Sequence, residues 1–467
     1  MSKLTRTLAL LAVLAMSATA FTACNGGSES SNDSSSATES SADESSADES
    51  SADESSDEES SGEETPSVDL TDDDPTLTIV CWNNNDLGPM MDMYGNENVK
   101  WEQSGTDGTS ASTEYATFLG SGKDIDLFVA EAGWILNYIT DEYALPVSEL
   151  GLTKDDYKDA YQYTVDVATN ENGDLMGCSW QAAAGGWAYN TDIAKEQLGI
   201  ETPEDMQAAV ADWDKFEETA GKLKDATGGD VYMTCSLGGM WQCYSTAIDS
   251  AWVEDGVINT ATAKDFAEMA KKYVDNGYVN PAIAQWDGDW FNYGVDGKCL
   301  GYFFSTWCLT QGAQLEGNCG TEGNWNIVVG PQEYFWGGSW LCVAKTINTK
   351  ATAADFIRYF TVNKDTMKEY ALSSGDFVNN KVAMAEIVEE KSNSNPLLGG
   401  QDQFAVLTEV ADGINMSDSI SKYDQSLKDS FLNTLKDEIE SKDVDTVIAD
   451  FVADATSKNT DLSAPEA

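Results

Sequence analysis

Residues 175–198 have the sequence LMGCSWQAAAGGWAYNTDIAKEQL, in which two short apolar runs are separated by Gly185 and Gly186. The runs, at 175–180 and 187–190, are typical of short buried strands, and the residues that follow have the spacing of a helix. Two glycines between strands permit a sharp bend or a close approach of two backbone segments. This stretch therefore predicts that the chain bends or crosses between two strands.

Strand and helix patterns alternate along the rest of the body. Strand patterns occur at 76–82, which is apolar at every position from Ile79, and at 125–130, 299–304, 325–329 and 340–344. Helical patterns occur at 192–198, 203–210, 212–226 and 263–276, and dominate from 351 onward. Strands that are apolar throughout are buried on both faces, as in parallel sheets covered by helices. Because sheet-rich and helix-rich stretches alternate twice, we expect an α/β protein with two lobes that the chain visits more than once.

The composition excludes several classes of function. The 467-residue chain has 81 acidic and 26 basic side chains and a net charge of −55, so its surface would repel a nucleic-acid backbone. It contains no histidine, which excludes catalytic triads and HExxH zinc hydrolysis. Hydrophobic residues make up 41% of the chain, enough for a large core. Carboxylate-based enzymes and binding proteins remain.

The N-terminal residues have the pattern of a secretory signal. Lys3 and Arg6 precede an apolar run at 8–15, which is too short to span a bilayer, and the sequence FTAC follows at 21–24. Small residues before a cysteine resemble the bacterial lipobox, which implies removal of residues 1–23 and lipidation of Cys24. The alternative is an ordinary signal peptide with a free cysteine. We expect a lipid-anchored protein on the extracellular face of the bacterial cytoplasmic membrane.

Residues 24–75 form an acidic, serine-rich segment. From 25 to 75 there are 18 Asp or Glu and no Lys or Arg, with a repeated SSADE motif. Such a composition has no core-forming residues and stays solvated and extended. We expect a disordered tether between the lipid and the body; a calcium-binding or phosphorylated acidic tail is the alternative.

Eight cysteines remain in the body after Cys24 is set aside. No CxxC spacing occurs among them, so a zinc knuckle or a thioredoxin-like site is not expected. Disulfide pairing stays open, with Cys235 and Cys243 the nearest pair in sequence. The sequence indicates no cofactor, no bound metal and no catalytic residue.

Five segments of the body, taken in order, carry a resemblance to one protein family that extends over residues from about 76 to 390. They are WAYNTDIAKEQLGI at 187–200, DWDKF at 212–216, GKCLGYF at 297–303, 330–332 with 334–340, and ADFIRYF at 354–360. In this order they resemble the family-one extracellular solute-binding proteins of bacterial ABC sugar importers, the group that includes maltose-binding protein.

The resemblance implies a periplasmic-binding-protein-like fold, with two α/β lobes joined by crossing hinge strands and a ligand cleft between them. It places lobe 1 at 76–182 plus 299–336, lobe 2 at 187–295 plus 340–458, and a C-terminal tail at 459–467. It implies a monomer that captures an oligosaccharide by lobe closure and delivers it to membrane permease subunits without chemistry.

The tryptophans point to a sugar independently of the resemblance. All 14 lie between Trp82 and Trp340, several at strand ends or beside glycines. Indole faces stack on sugar rings, while neighbouring amides and carboxylates bond the hydroxyls. Core packing is the alternative for each, above all for Trp82. The ligand-binding candidates are Trp82, Asn83, Asn85, Asp86, Glu131, Trp134, Trp180, Gln181, Trp241, Trp286, Asp287, Trp307, Trp336 and Trp340, with Gln242 and Gln285 as further polar neighbours.

Three other functions compete with sugar import. The same fold is able to bind a peptide or a polyamine, because acidic residues among aromatic rings suit a cation. A surface glycosidase would need two carboxylates, such as Asp287 and Asp289, on either side of a glycosidic bond. A surface adhesin would bind insoluble polysaccharide and need no hinge.

Overall fold

The computed structural model describes residues 68, 70–83, 87–105, 108–246, 251–310, 323–414 and 420–465. The predicted signal peptide, Cys24 and nearly all of the predicted tether lie outside these residues, as do Asn85 and Asp86. In the described part of the chain, no helix has the length and apolar character needed to cross a membrane.

The described chain contains twelve strands and sixteen α-helices. The strands are β1 Leu77–Cys81, β2 Val99–Gln103, β3 Leu127–Glu131, β4 Ala144–Leu145, β5 Gly177–Ser179, β6 Gly185–Asn190, β7 Tyr232–Thr234, β8 Val253–Glu254, β9 Val257–Ile258, β10 Cys299–Ser305, β11 Trp325–Val328 and β12 Ser339–Ala344. The helices are α1 Leu87–Tyr94, α2 Gly108–Leu119, α3 Gln162–Val167, α4 Thr191–Ile193, α5 Pro203–Ala209, α6 Trp213–Thr227, α7 Leu237–Ser245, α8 Ala261–Asp275, α9 Gly288–Val295, α10 Thr306–Thr310, α11 Lys350–Thr361, α12 Lys364–Ser374, α13 Lys381–Glu390, α14 Gln403–Gly413, α15 Asp424–Glu438 and α16 Val444–Lys458.

The strands form two mixed sheets. The first sheet has the order β2-β1-β3-β12-β4, with β5 also paired to β12, and the second has the order β11-β6-β10-β7. In the first sheet β1 runs parallel to β2 and β3, whereas β12 is antiparallel to its neighbours. In the second sheet β10 is parallel to β7 and antiparallel to β6. The α/β class is confirmed, and a separate hairpin joins β8 and β9.

The stretch at 175–198 forms two strands and a helix as its pattern predicts, but Gly185 and Gly186 begin β6 rather than separate the strands. It contains β5, β6 and then α4, which a π-turn at Ala194–Leu198 prolongs. The side chain of Asn190 accepts hydrogen bonds from the backbone N–H groups of Asp192 and Ile193 and so caps the helix. Because β5 belongs to the first sheet and β6 to the second, the chain passes between sheets at 180–185.

The pairing of the later strands differs from the expected division. Residues 299–336 were expected in lobe 1 and 340–344 in lobe 2, but β10 and β11 pair with β6, and β12 pairs with β3. The physical reason is that β10 and β12 are buried at every position, so they have no polar face that distinguishes one sheet from the other. Strand pairing therefore assigns 299–328 to the second sheet and 339–344 to the first.

Three crossing segments lie together between the sheets: the first at 180–185, the second at 334–339 and the third at 376–380. The Trp336 backbone N–H donates to Ala183 O at 3.0 Å, which joins the first and second segments. The Ala182 N–H donates to Phe377 O at 3.0 Å, which joins the first and third. After the third segment, α14 packs against β6 and β11, and α15 packs against α7.

The buried side chains include the stripe predicted for α6 and the described cysteines. In α6 the predicted stripe is buried at Phe216, Ala220 and Leu223, with Trp213 half-buried. Seven of the eight body cysteines are described, and all seven are buried. The Cys235 thiol donates to Trp290 O at 3.2 Å and Cys243 is not joined to it, so the nearest pair in sequence does not form a bridge.

Candidate functional site

Three tryptophans from separate parts of the chain form an open aromatic cluster, Trp286, Trp307 and Trp336. The rings of Trp286 and Trp307 are stacked, with centroids 5.7 Å apart and planes at 27°. The ring of Trp336 lies 5.8 Å from Trp286 and 5.5 Å from Trp307. Trp307 and Trp336 are half-buried, and Trp286 is 42% exposed. The cluster therefore presents indole surface to solvent, which buried core tryptophans do not.

The backbone of Trp286 is held in an unfavourable conformation. Its φ is +74°, in the left-handed region that non-glycine residues seldom occupy. Such strain costs about 1 to 3 kcal/mol and occurs most often at binding sites. Trp286 is therefore an exposed residue in a conformation that stability alone does not favour, in ring contact with Trp307, Trp336 and the buried Trp290.

Two polar residues, Gln285 and Asp287, flank Trp286 in the chain. The side-chain amide nitrogen of Gln285 is buried and has no hydrogen-bond partner among the described residues. A buried unpaired donor of this kind is uncommon in folded proteins. Asp287 is exposed at the N-cap of α9, on the other side of Trp286. The Gln285 side chain lies against Gly238 in α7, whereas Asp287 adds an exposed carboxylate next to Trp286 in the chain.

The second crossing segment and the end of β10 position two of the three rings. The indole N–H of Trp307 donates to Trp336 O at 3.2 Å, and the Ser305 hydroxyl donates to the same oxygen at 2.8 Å. Gly337 has a φ of +81°, and a Cβ there would lie 3.1 Å from the Trp307 indole nitrogen. A side chain there would be strained by this φ and would crowd the Trp307 indole, so glycine favours the close approach of Trp307 to this segment.

A second group of predicted residues lies at the edge of the first sheet. Trp82 follows β1, Glu131 ends β3 and Trp134 follows it, and the parallel pairing of β1 with β3 brings these carboxyl ends to one edge. The rings of Trp82 and Trp134 meet edge to face with centroids 6.0 Å apart. Both rings are largely buried, and Asn83 beside them is half-buried. In α/β proteins, ligands bind at such carboxyl edges.

Glu131 is the titratable group that stands out at this edge. Its carboxylate accepts a hydrogen bond from the Gly133 N–H at 2.8 Å. A side chain at Gly133 would collide with Gln425, so α15 lies directly against this edge. Desolvation raises the pKa of Glu131 from 4.5 to about 7, opposed by the Gly133 bond and by Lys428 and reinforced by Asp429. The carboxyl is therefore only partly ionised near neutral pH.

We expect Glu131→Gln to change the pH dependence of stability. The folded-state pKa lies above the unfolded value, so the contribution of Glu131 is fully present below pH 4.5 and is lost as the pH rises through about 7. At pH 8 the glutamine variant should be more stable than the parent by about 1 to 2 kcal/mol. This free energy is smaller than the pKa shift alone would give, because solvent screens the partly exposed side chain. Urea unfolding at pH 4.5 and pH 8 measures the difference.

The control for this experiment is Glu97→Gln, because Glu97 is an exposed carboxylate before β2. It should leave the stability difference from the parent unchanged between the two pH values. A constant difference for Glu131→Gln as well would contradict the assignment of the raised pKa to this carboxyl.

The structure places other predicted residues in the core or at the hinge. Trp241 is 3% exposed and packs against Trp252, Phe266 and Phe431. Trp340 is buried and its indole donates to Thr164 O at 2.8 Å, and Trp180 is buried in the first crossing segment. The Gln181 amide donates to Asp376 at 2.6 Å. These four side chains are engaged within the protein, so they do not extend the open cluster.

The sequence did not single out Gln425, Thr306 or Asp376. Gln425 reaches Gly133 from α15, a contact that no local pattern predicts. Thr306 and Asp376 are buried polar residues that bond each other. A buried Asp has no periodic signature, because only the fold determines which donors surround it. Among the described residues, no group of three or more Cys, Asp or Glu side chains is arranged to hold a metal ion.

Comparison with known proteins gives the family and the fold. The model of a family described as bacterial extracellular solute-binding protein matches residues 90–398. No curated protein sequence matches the chain. The crystal structure of an extracellular solute-binding protein family 1 member is similar to it with a TM-score of 0.72 at 17% identity, covering 82% of this chain and 99% of that chain.

Two further structures are similar at the same level. The ABC-transporter-associated binding protein from Bifidobacterium animalis subsp. lactis Bl-04, in complex with β-1,6-galactobiose, has a TM-score of 0.66 at 17% identity, covering 84% of this chain and 100% of that chain. The sugar-binding protein MalE from Xanthomonas citri has a TM-score of 0.65 at 14% identity, covering 82% and 98%. At these identities the likeness establishes the two-lobed fold, and the family model, which spans well over half of the chain, establishes membership: the chain belongs to the bacterial extracellular solute-binding proteins.

Proposed function

We propose that this protein is the substrate-binding subunit of an ABC importer and that it captures an oligosaccharide. The observation that carries the proposal is the open cluster of Trp286, Trp307 and Trp336, with Trp286 exposed and conformationally strained. Stacked indole faces offer flat apolar contact to the C–H faces of sugar rings. The exposed Asp287 carboxylate, next to Trp286 in the chain, supplies an acceptor for sugar hydroxyls.

The two sheets are proposed as the two lobes. Lobe 1 comprises about 77–180 and 339–375, and lobe 2 comprises about 185–334 and 381–458. This division follows the strand pairing and the three crossing segments. The Trp82–Glu131–Trp134 edge then belongs to lobe 1 and the Trp286–Trp307 pair to lobe 2, so closure brings both groups onto one ligand.

Related structures support a sugar as the ligand. The similar binding proteins were solved with β-1,6-galactobiose, with maltose and with lacto-N-biose. Aromatic platforms suit this class of ligand, whereas a peptide that adds a strand would require an open sheet edge. The exposed Asp287 and Asp289 lie at the first turn of α9, where carboxylates stabilise a helix N-terminus, so they need no catalytic role.

Isothermal titration calorimetry tests the proposal. The purified body is titrated with maltose, β-1,6-galactobiose, lacto-N-biose and pooled plant and milk oligosaccharides, and separately with spermidine and mixed peptides. Saturable binding to one or more sugars, without bond cleavage on prolonged incubation, supports the proposal. Binding of spermidine or peptides with no heat from any sugar contradicts it, and accumulation of hydrolysis products would assign a glycosidase instead.

The lipid anchor is a separate prediction. Because the FTAC motif at 21–24 resembles a lipobox, Cys24→Ser should release the protein from cells into the medium, since no acyl chain would hold it. Fractionation and immunoblotting of the parent and the variant measure this. The variant would contradict lipid anchoring if it remained with the membrane as firmly as the parent does.

A further inference from the structure

The tripeptide Ser305–Thr306–Trp307 contacts all three crossing segments. The Ser305 hydroxyl lies 3.5 Å from Ala183 O in the first segment and 2.8 Å from Trp336 O in the second. The Thr306 hydroxyl donates to Asp376 Oδ1 in the third at 3.1 Å. Trp307, the last residue of the three, is one of the cluster tryptophans. The tripeptide therefore links the hinge directly to the aromatic cluster.

Asp376 is the buried polar centre of this link. Its side chain is completely buried. Oδ2 accepts from the Gln181 amide at 2.6 Å, and Oδ1 accepts from the Phe377 N–H at 2.9 Å as well as from Thr306. Hydrogen bonds within a buried polar network are stronger than in water and are geometrically demanding. One carboxylate thus bonds the first crossing segment, the third, and the start of α10.

The position of Trp307 depends on the start of α10. Thr306 is fully buried and precedes Trp307 directly, so its bond to Asp376 holds the backbone from which the indole extends. The Trp307 indole N–H in turn donates to Trp336 O, 3.2 Å away in the second crossing segment. The bonds to Asp376 and to Trp336 O therefore tie this part of α10 to the third and second crossing segments.

We propose that Thr306 and Asp376 are positioning residues that set the orientation of Trp307 and so couple the hinge to ligand stacking. This inference rests on the proposed function for its consequence, since the orientation matters when a ligand stacks on Trp307. The residues themselves do not touch the ligand. Without the Thr306 hydroxyl, α10 loses this bond to the third crossing segment, and the Trp307 ring is left with its own indole bond to Trp336 O to orient it.

The test compares Thr306→Val with Thr306→Ser in protein labelled with 5-fluorotryptophan. Valine keeps the shape and removes the hydroxyl, whereas serine keeps the hydroxyl. The ¹⁹F resonances of Trp307 and Trp336 are assigned from spectra of Trp307→Phe and Trp336→Phe. In the unliganded protein, Thr306→Val should shift or broaden both resonances and leave that of the core Trp252 unchanged, and Thr306→Ser should restore the parent spectrum.

Affinity gives the second readout, with the sugar that calorimetry identifies as the probe. Loss of one hydrogen bond that orients the ring should weaken binding by about five- to tenfold in Thr306→Val, with recovery in Thr306→Ser. If Thr306→Val fails to fold, Thr306→Ala is measured in the same way. A Thr306→Val protein with lower stability but with parental Trp307 and Trp336 resonances would overturn the inference. A parent that binds no sugar would overturn the proposed function, while the ¹⁹F comparison would still decide the positioning role.

Discussion

Trp286→Ala is expected to weaken oligosaccharide binding by about thirtyfold and to leave the stability of the unliganded protein within about 1 kcal/mol of the parent. A central aromatic contact typically contributes at least about 2 kcal/mol to binding, which is roughly thirtyfold in affinity. Trp286 is 42% exposed, so its removal opens no sealed cavity. Calorimetric titration and urea unfolding of the same preparation measure the two quantities.

In Trp286→Ala the residue at 286 still has a Cβ, so its left-handed backbone remains strained. The comparison with the parent therefore measures the effect of removing the indole. Trp286→Phe is the matched variant, because it retains a stacking face, and it should lose severalfold less affinity than the alanine variant. Unchanged affinity in Trp286→Ala together with a large loss of stability would assign Trp286 to the core and remove the main support for the proposed site.

Trp241→Ala is expected to have the opposite effect. Trp241 lies in the core of the second sheet, with ring centroids 4.5 Å from Phe431 and 4.9 Å from Phe266. Truncation of a buried tryptophan removes these contacts and leaves a cavity, at a cost of about 3 to 5 kcal/mol of folding stability. At a temperature where the variant remains folded, its affinity for the sugar should stay within about twofold of the parent.

Trp241→Phe is the control for volume and should recover about half of the lost stability, because it refills part of the cavity. A Trp241→Ala protein with parental stability but with weakened sugar binding would show that this indole contacts the ligand. That outcome would restore the sequence-based prediction for Trp241.

Much of the fold follows from local pattern, whereas the pairing of its strands does not. The run at 187–190 and the helix that follows it form as their spacing predicts, and the stripe of Phe216, Ala220 and Leu223 is buried in α6. The expected lobes separated β10 from β6 and β12 from β3, with which they pair, because strands buried at every position carry no mark of the sheet that they join. Their partners are determined by long-range hydrogen bonds.

The residues of the candidate site were also only partly predictable from local sequence. Composition and glycine context pointed to Trp286, Trp307 and Trp336, which the structure brings within 6 Å of one another. The same criteria also pointed to Trp241 and Trp340, because the local sequence does not distinguish a tryptophan in the core from one in a cleft. Asp376 was not predicted because its partners Thr306 and Gln181 lie 70 and 195 positions away.

The most direct test of the central claim is a ¹⁹F NMR titration of 5-fluorotryptophan-labelled protein with the sugar that calorimetry identifies. If the ligand stacks on the open cluster, the resonances of Trp286, Trp307 and Trp336 will shift together, with one dissociation constant equal to the calorimetric value, while those of Trp241 and Trp252 stay in place. Saturation by calorimetry with all three cluster resonances unmoved would contradict the account.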